Sequence, residues 1–271
     1  MKKVISIISI GLLLFAGLAL LFYPDISNWL AERNQSMAIQ EYNAALSEMT
    51  TEQMEVEMQK AREYNNALSG IQIEDPFIPG TGIVLPENYT SVLTLNGTIG
   101  YIEIPVIDVS LPIYHGTGEA ALKRGAGHME MTAFPIGGEG NHAVLTGHTG
   151  LPSARLFTDL NKLVAGDHFY IRVLDKTLAY EVNQILVVTP ENTEDLRPVK
   201  AQDYVTLITC TPYGINSHRL LVRGVRIPYQ AAKTEQAAKT AASPIDWRLV
   251  TVIAFMTLLV IIFKWKKRDS L

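Results

Sequence analysis

Two long apolar runs lie near the ends of the chain. The first, Val4–Phe22, has 19 residues and the second, Leu249–Phe263, has 15, and neither contains an ionisable side chain. As an α-helix the first run would be about 28 Å long, close to the roughly 30 Å of a bilayer's hydrocarbon core. The second is short, but Trp247 and Trp265 bracket it as interface aromatics. The pattern predicts two membrane spans, and a cleaved signal peptide stays open as an alternative for the first.

The segment that follows the first run has a helical pattern. It is rich in Glu, Ala, Met and Gln and has neither Pro nor Gly between residues 26 and 68. Thr50 and Gln53 match a capping box, which marks the start of a helix. We therefore predict two helices, over 26–48 and 51–68. Either a membrane-proximal stalk or a docking role would fit them.

From residue 92 the pattern changes to short β-branched runs that Gly and Pro interrupt. Strands this short and this numerous favour a closed or nearly closed β-barrel over alternating strands and helices. A short helix is predicted at Ala154–Leu163. The predicted strands are Gly100–Ile104, Leu111–Tyr114, Asn141–Thr146, His168–Val173, Thr177–Val188, Tyr204–Thr209 and His218–Val225.

The pattern divides the chain into seven segments. In order they are an N-terminal anchor at 1–23, an extracellular helical segment at 24–70, a Pro- and Gly-rich loop at 71–90, the β-barrel at 91–228, an Ala-rich linker at 229–246, a second span at 247–264 and a basic cytoplasmic tail at 265–271.

Charge gives the orientation of these segments. Basic residues cluster at the outer ends of both apolar runs, whereas residues 25–246 carry 16 Lys and Arg against 26 Asp and Glu, a net charge of −10. The positive-inside rule places both termini in the cytoplasm and the acidic middle outside the cell. An acidic middle is a poor ligand for nucleic acid, which needs a Lys/Arg-rich face. Composition thus excludes a DNA-binding protein, a fibrous protein and a simple cytosolic enzyme.

The chain contains a single cysteine, Cys210, so no internal disulfide can form. Outside the cell a lone thiol is a dimer link, a reactive group or an inert buried side chain. The motifs of P-loop, zinc-protease and serine-hydrolase enzymes are absent from the sequence. None of the six histidines has the Cys or carboxylate spacing typical of zinc. We therefore expect neither a cofactor nor a metal ion.

The surroundings of Cys210 favour a reactive thiol. Cys210 ends a predicted strand, a Pro-, Gly- and Asn-containing loop follows, and Arg219 opens the next strand. A nearby guanidinium favours the thiolate and can donate to an oxyanion. His148, which leaves a strand into a glycine-flanked loop, supplies a candidate base.

Several other basic side chains are expected to be structural or surface residues. His142 competes best with His148, because it lies six residues earlier and shares its strand parity. Thr209 could orient an oxyanion, although an ordinary strand residue is the simpler interpretation. The remaining side chains of this set are His115, His128, His168, His218, Arg223 and Arg226.

At this point the sequence resembles the sortases, surface cysteine transpeptidases of Gram-positive bacteria, and in particular the class C, pilin-polymerising branch. The resemblance covers about residues 75–228 and both flanking apolar runs. Asp75-Pro76-Phe77 resembles the class C lid, whose aromatic is often Trp. The other matching stretches are IGYIEIP at 99–105, LPIYHG at 111–116, TGH at 146–148 and, most specific, TLITCTPYGINSHR at 206–219.

The resemblance implies an eight-stranded, mainly β barrel with short helices, preceded by the helical segment and flanked by transmembrane helices. It implies that Cys210 attacks the Thr carbonyl of an LPXTG-like sorting signal, that His148 is the general acid and base, and that Arg219 binds the oxyanion. Asp75 and Phe77 would form a lid over the thiol.

The implied partners are pilins or surface proteins that carry this signal, an acceptor Lys on the next pilin, and the cell membrane, with the catalytic domain outside. Two alternatives remain. One is a sortase that attaches single proteins to the cell-wall precursor, and the other is a non-catalytic scaffold for pilus assembly.

Overall fold

The computed structural model describes residues 2–68 and 88–229, and two helices open it. Helix α1 spans Lys2–Ser47 and α2 spans Thr51–Ala67. The predicted capping box is confirmed, since the Gln53 N–H donates to Thr50 Oγ1 and the Thr50 N–H donates to Gln53 Oε1, at 3.2 and 2.8 Å. Helix α1 continues through Pro24, so the predicted helix at 26–48 is the C-terminal part of a longer helix.

One of the two predicted membrane spans lies within the described residues and the other lies outside them. Val4–Phe22 forms part of α1, and within residues 2–68 and 88–229 no helix combines the length and the apolar character needed to cross a bilayer. Leu249–Phe263 lies outside the described residues, as do most of the predicted loop, nearly all of the linker and the basic tail.

The barrel that follows contains eight strands, the number that the resemblance implies, and seven of them were predicted from the pattern. It closes in the order β1-β2-β3-β4-β7-β8-β6-β5. The β2–β3 and β4–β7 pairs are parallel and the others are antiparallel. The strands are β1 Gly100–Ile104, β2 Val109–His115, β3 Ala126–His128, β4 His142–Thr146, β5 His168–Val173, β6 Lys176–Val188, β7 Tyr204–Thr211 and β8 His218–Ile227.

Two short elements depart from the sequence prediction. The strand β3 has three residues, one of them Gly, so it is too short to show an alternating pattern. A four-residue helix, α3 at Glu119–Leu122, precedes it and was also not predicted.

The predicted helix at Ala154–Leu163 is wrong, because this stretch contains turns and a single 3₁₀ turn at Leu160–Lys162. The reason is local: the Phe157 N–H donates to His148 O across the loop instead of to a carbonyl one helical turn earlier.

Side chains alternate between the two faces of the barrel wall. Inward side chains such as Leu145, Leu207 and Val222 join the main core. A second, smaller cluster lies on the outer face of β4, β7 and β8, under Leu196 from the segment between β6 and β7. Its buried members are Met129, Val144, Leu196, Ile208 and Leu221.

The helices rest against this barrel through polar as well as apolar contacts. Tyr42 on α1 is fully buried and its hydroxyl accepts the Leu174 N–H at 2.7 Å. Asn65 on α2 clamps Phe134, with Oδ1 accepting its N–H at 2.7 Å and Nδ2 donating to its carbonyl at 3.2 Å. The helical segment is therefore packed against the barrel.

Candidate active site

The register of three neighbouring strands brings the predicted site residues to one end of the barrel. Cys210 on β7 pairs directly with Arg219 on β8. On the other side of β7, Thr146 of the parallel strand β4 pairs with Ile208. His148 and Cys210 each lie two residues beyond that pair. Strand β7 therefore carries the Cys210 thiol between the segment that bears the His148 imidazole and the strand that bears the Arg219 guanidinium.

Hydrogen bonds extend this pairing past the end of β4. The Gly147 N–H donates to Ile208 O at 3.0 Å, and the Thr209 hydroxyl donates to Gly147 O at 2.7 Å. Thr209 is buried and its hydroxyl is used by this bond, so its observed contact is structural. These bonds fix the backbone immediately before His148 against the backbone immediately before Cys210.

Cys210 lies where the barrel wall opens to solvent. Residues 205–209 of β7 are buried, whereas Cys210 is partly exposed. By strand alternation Cys210 shares the outer face of Ile208, and Arg219 shares that of Leu221. The thiol therefore lies on the outer wall of the barrel, at the end of the small apolar cluster.

Arg219 is a buried cation in the structure, with 8 % of the residue exposed. Its Nη1 donates to the carbonyls of Asn216 and His218 at 3.2 and 3.3 Å. These bonds hold the guanidinium to the base of the loop that joins β7 to β8. A buried cation beside Cys210 suits the stabilisation of negative charge.

His148 is half-buried, with 19 % of its side chain exposed, and its Nε2 lies 3.7 Å from Glu119 Oε1. Burial lowers the pKa of the imidazole below its usual value, while the Glu119 carboxylate acts in the opposite direction. A neutral imidazole near physiological pH can accept a proton and then return it.

Two glycines let the loop after β4 approach its neighbours closely. A Cβ on Gly147 would lie 2.6 Å from the Phe157 ring, and one on Gly150 would lie 3.1 Å from the Tyr213 ring. Gly150 also has a φ of +73°, a left-handed conformation that favours glycine. The loop that carries His148 therefore packs against the loop that joins β7 to β8.

His142, the competing base, occupies a different environment. It lies at the far end of β4 from His148, its Nε2 is 2.7 Å from Thr206 Oγ1, and its Nδ1 is 3.0 Å from Arg197 O. Burial lowers the pKa of His142 to about 4. A neutral imidazole that is hydrogen-bonded at both ring nitrogens holds the segment between β6 and β7 on the barrel.

The other basic side chains that were expected to be structural or surface residues have contacts of their own. His128 is fully buried, where burial lowers its pKa to about 3, and it stacks on Phe134 at 4.7 Å. Arg223 lies over the Tyr204 ring at 4.3 Å. The contacts of the others are His115 to Val92 O, His168 to Glu181, His218 to Ser217 and Arg226 over Tyr180.

Three further residues bear on the site, namely the two predicted lid residues and Glu119, which was not predicted. Asp75 and Phe77, the predicted lid, lie outside the described residues. Glu119, which contacts His148, was missed by sequence reasoning. It is 29 residues from His148 on a helix of four residues, so neither spacing nor periodicity connects the two. The contact between this carboxylate and the half-buried His148 depends on the packing of α3 against β3.

Comparison with known proteins gives the family. Residues 102–227 match the family model described as the Sortase domain. The sortase A of Streptococcus agalactiae is 29 % identical over 204 residues, which cover 74 % of this chain and 76 % of that protein. The sortase A of Bacillus anthracis is 29 % identical over 232 residues, which cover 86 % of this chain and 99 % of that protein.

Solved structures give a higher identity. The crystal structure of sortase C-1 from Streptococcus pneumoniae is 45 % identical, with a TM-score of 0.68 over 71 % of this chain and 99 % of that chain. A pilus-related sortase C of Group B Streptococcus is 44 % identical, with a TM-score of 0.66 over 71 % of this chain and 98 % of that chain. The structural neighbours are thus class C enzymes.

Proposed function

Because the chain belongs to the sortase family of cysteine transpeptidases, we propose that it is a class C enzyme that joins pilin subunits. It cleaves an LPXTG-like sorting signal between Thr and Gly and transfers the Thr carbonyl to a Lys amine of another pilin. The observation that supports this best is the register that sets Cys210 directly beside Arg219 and level with His148.

The reaction proceeds through a thioester. Cys210 Sγ attacks the Thr carbonyl as its proton passes to His148, and the Arg219 guanidinium stabilises the oxyanion of the tetrahedral intermediate. His148 donates a proton to the departing Gly amine as the carbon–nitrogen bond breaks. The Lys amine then attacks the thioester, His148 takes up its proton, and Cys210 leaves as the thiolate.

This sequence of steps suits an enzyme outside the cell. One amide bond is broken and another is formed, and the thioester conserves the bond energy in between. No nucleotide is consumed, which is required where no ATP is supplied. The donor's sorting signal and the acceptor's Lys are then the partners of the enzyme.

The membrane location is part of the same proposal and rests on the sequence. Basic residues flank both apolar runs, and the segment between them has a net charge of −10. We propose that the catalytic domain is held at the outer face of the membrane by these runs. Exposure of the domain to protease added to intact protoplasts would test this orientation, and protection of the domain would contradict it.

The two alternatives have less support. A sortase that anchors single proteins to the cell-wall precursor would share the three site residues, but the similarity to class C enzymes favours the pilin reaction. A non-catalytic scaffold would have no need for a thiol, an imidazole and a guanidinium at one end of the barrel.

The test of the proposed function uses the sole cysteine. We expect the Cys210→Ala variant to form no covalent adduct with an LPXTG peptide, whereas the wild type forms an acyl-enzyme that mass spectrometry detects. The Ser217→Ala variant, altered in the same loop, is the matched control and should acylate normally. An adduct on the Cys210→Ala chain would refute the cysteine mechanism.

The acceptor distinguishes the pilin reaction from cell-wall anchoring. With two acceptors offered together, a Lys-containing pilin peptide should be joined to the donor faster than a peptide that mimics the cell-wall precursor. The opposite preference would support the anchoring alternative.

A further inference from the structure

Glu119 directs its two carboxylate oxygens to two different basic side chains. Its Oε1 lies 3.7 Å from His148 Nε2, and its Oε2 lies 2.9 Å from Lys123 Nζ. Lys123 brings an ammonium group to the carboxylate, whereas the His148 imidazole is charged only when protonated. The same carboxylate can therefore favour the protonated imidazole while a lysine competes for it.

We propose that Glu119 is a positioning residue that stabilises the imidazolium form of His148 during transfer, and that Lys123 limits this effect. The proposal rests on the acid–base role that we have proposed for His148. It adds Glu119 of α3 and Lys123, the residue that follows this helix, to the three residues Cys210, His148 and Arg219.

The need for such a carboxylate follows from the position of His148. The ring is largely withdrawn from water, and burial disfavours its charged form. In the reaction this ring must carry a second proton before the Gly amine departs and again after the Lys amine attacks. A carboxylate beside Nε2 offsets part of the cost of that charge.

The scaffold holds Glu119 where this contact requires it. Ala121 and Leu122 of α3 are buried against the barrel, and the Leu122 side chain packs closely on Gly127 of β3. The Glu119 and Lys123 side chains themselves are exposed, by 70 % and 65 %. Because water screens an exposed ion pair, the effect on His148 should be modest.

The charged groups on the other elements around His148 have partners of their own. Residues 152–163 pack on the His148 backbone and carry Arg155 and Lys162, which both pair with Asp159. The β7–β8 side brings the titratable groups of Cys210 and Arg219. Glu119, by contrast, directs one carboxylate oxygen to the His148 ring itself.

The test is a titration of the His148 ring in the full chain in detergent micelles. Imidazole carbons are labelled with ¹³C, the His148 resonance is identified by its loss in His148→Asn, and all variants carry Cys210→Ala so that the midpoint belongs to one group. Glu119→Gln removes a negative charge and should lower the midpoint, by less than about one pH unit for an exposed pair. Lys123→Met removes a positive charge and should raise it.

Controls separate this effect from a general structural one. Glu55→Gln removes an exposed carboxylate that pairs with Arg62 on α2, and it should leave the midpoint unchanged. Glu119→Asp keeps the charge and should restore part of the shift. An unchanged midpoint in Glu119→Gln, or a Lys123→Met shift in the same direction, would overturn the proposal.

The outcome is independent of the proposed function, because the titration contains no substrate. If the wild-type protein, in which Cys210 is intact, does not transfer a peptide, the transpeptidase proposal fails. The titration of the Cys210→Ala variants still reports on Glu119. If transfer proceeds and the midpoints do not move, the Glu119 proposal fails alone.

Discussion

At the scale of single residues, two histidines on or next to one strand have different environments. His142 is buried with both ring nitrogens near acceptor or hydroxyl oxygens, while His148 is half-buried at the end that carries Cys210. Burial lowers the pKa of both rings, because it disfavours the charged form, and lowers that of His142 to about 4. For His148 the nearby Glu119 carboxylate opposes this effect.

This contrast leads to a paired prediction. His148→Ala should reduce the turnover of an LPXTG peptide by about 10²–10⁴-fold, the usual contribution of general acid–base catalysis. His142→Ala should keep the chemistry but lower the free energy of unfolding by about 1–3 kcal/mol, because the Thr206 hydroxyl and the Arg197 carbonyl lose a partner. Peptide cleavage and urea unfolding measure the two effects. An inactive but folded His142→Ala, with an active His148→Ala, would reverse the assignment.

The sequence was sufficient to predict the three residues at the barrel end but not Glu119. Cys210, His148 and Arg219 each lie at a predicted strand end, so chain pattern and chemistry pointed to them together. Glu119 reaches His148 through the packing of α3 on β3, a contact that leaves no periodic trace in the sequence.

At the scale of elements, α2 is attached to the barrel by a polar clamp. Both polar atoms of the Asn65 amide bond to the backbone of Phe134, and Glu57 accepts the Leu93 N–H at 3.0 Å. Phe134 also stacks on the buried ring of His128. The helix therefore secures the segment that connects β3 to β4, the strand that leads to His148.

We expect Asn65→Ala to lower the free energy of unfolding by about 1–3 kcal/mol, because it leaves a backbone donor and acceptor at Phe134 without their partner. Urea denaturation of the full chain measures this change. Asn43→Ala replaces the same residue type at an exposed position on α1 and is the matched control. Equal stability of the two variants would mean that the clamp contributes nothing.

Element prediction succeeded where pattern is long and failed where packing decides. The strands rich in β-branched residues and the capping box at Thr50 were predicted from the sequence, because local chemistry determines them. The three-residue strand β3 depends on its pairing with β2, and the turns in place of the helix at Ala154–Leu163 depend on the bond from the Phe157 N–H to the His148 carbonyl. Neither contact leaves a periodic pattern in the sequence.

At the scale of the whole molecule, access to the thiol should depend on the loop that precedes the barrel. Asp75 and Phe77 resemble the class C lid, in which a carboxylate would pair with Arg219 and a ring would cover Cys210. An ion pair at a partly exposed site contributes about 0–1 kcal/mol, so such a lid would open readily. Its closed population would then set the apparent reactivity of the thiol.

We therefore expect the double variant Asp75→Ala, Phe77→Ala to react faster than the wild type with a thiol reagent. Since Cys210 is the sole cysteine, the labelling rate of the full chain reports on it alone. An unchanged unfolding midpoint serves as the control for fold. Equal labelling rates would show that the loop does not cover the thiol in solution.

The pairing of Cys210 with Arg219 also separates two things that a change in the connecting loop could alter. The pair belongs to the β7–β8 ladder, whose register is fixed by inward side chains such as Leu207 and Val222. The loop of six residues, Pro212–Ser217, adds a contact of its own, because the Asn216 carbonyl accepts from the Arg219 guanidinium. A substitution in the loop can therefore turn the guanidinium while the strands keep Cys210 opposite Arg219, so that the aim of the oxyanion donor is adjustable separately from its place in the barrel.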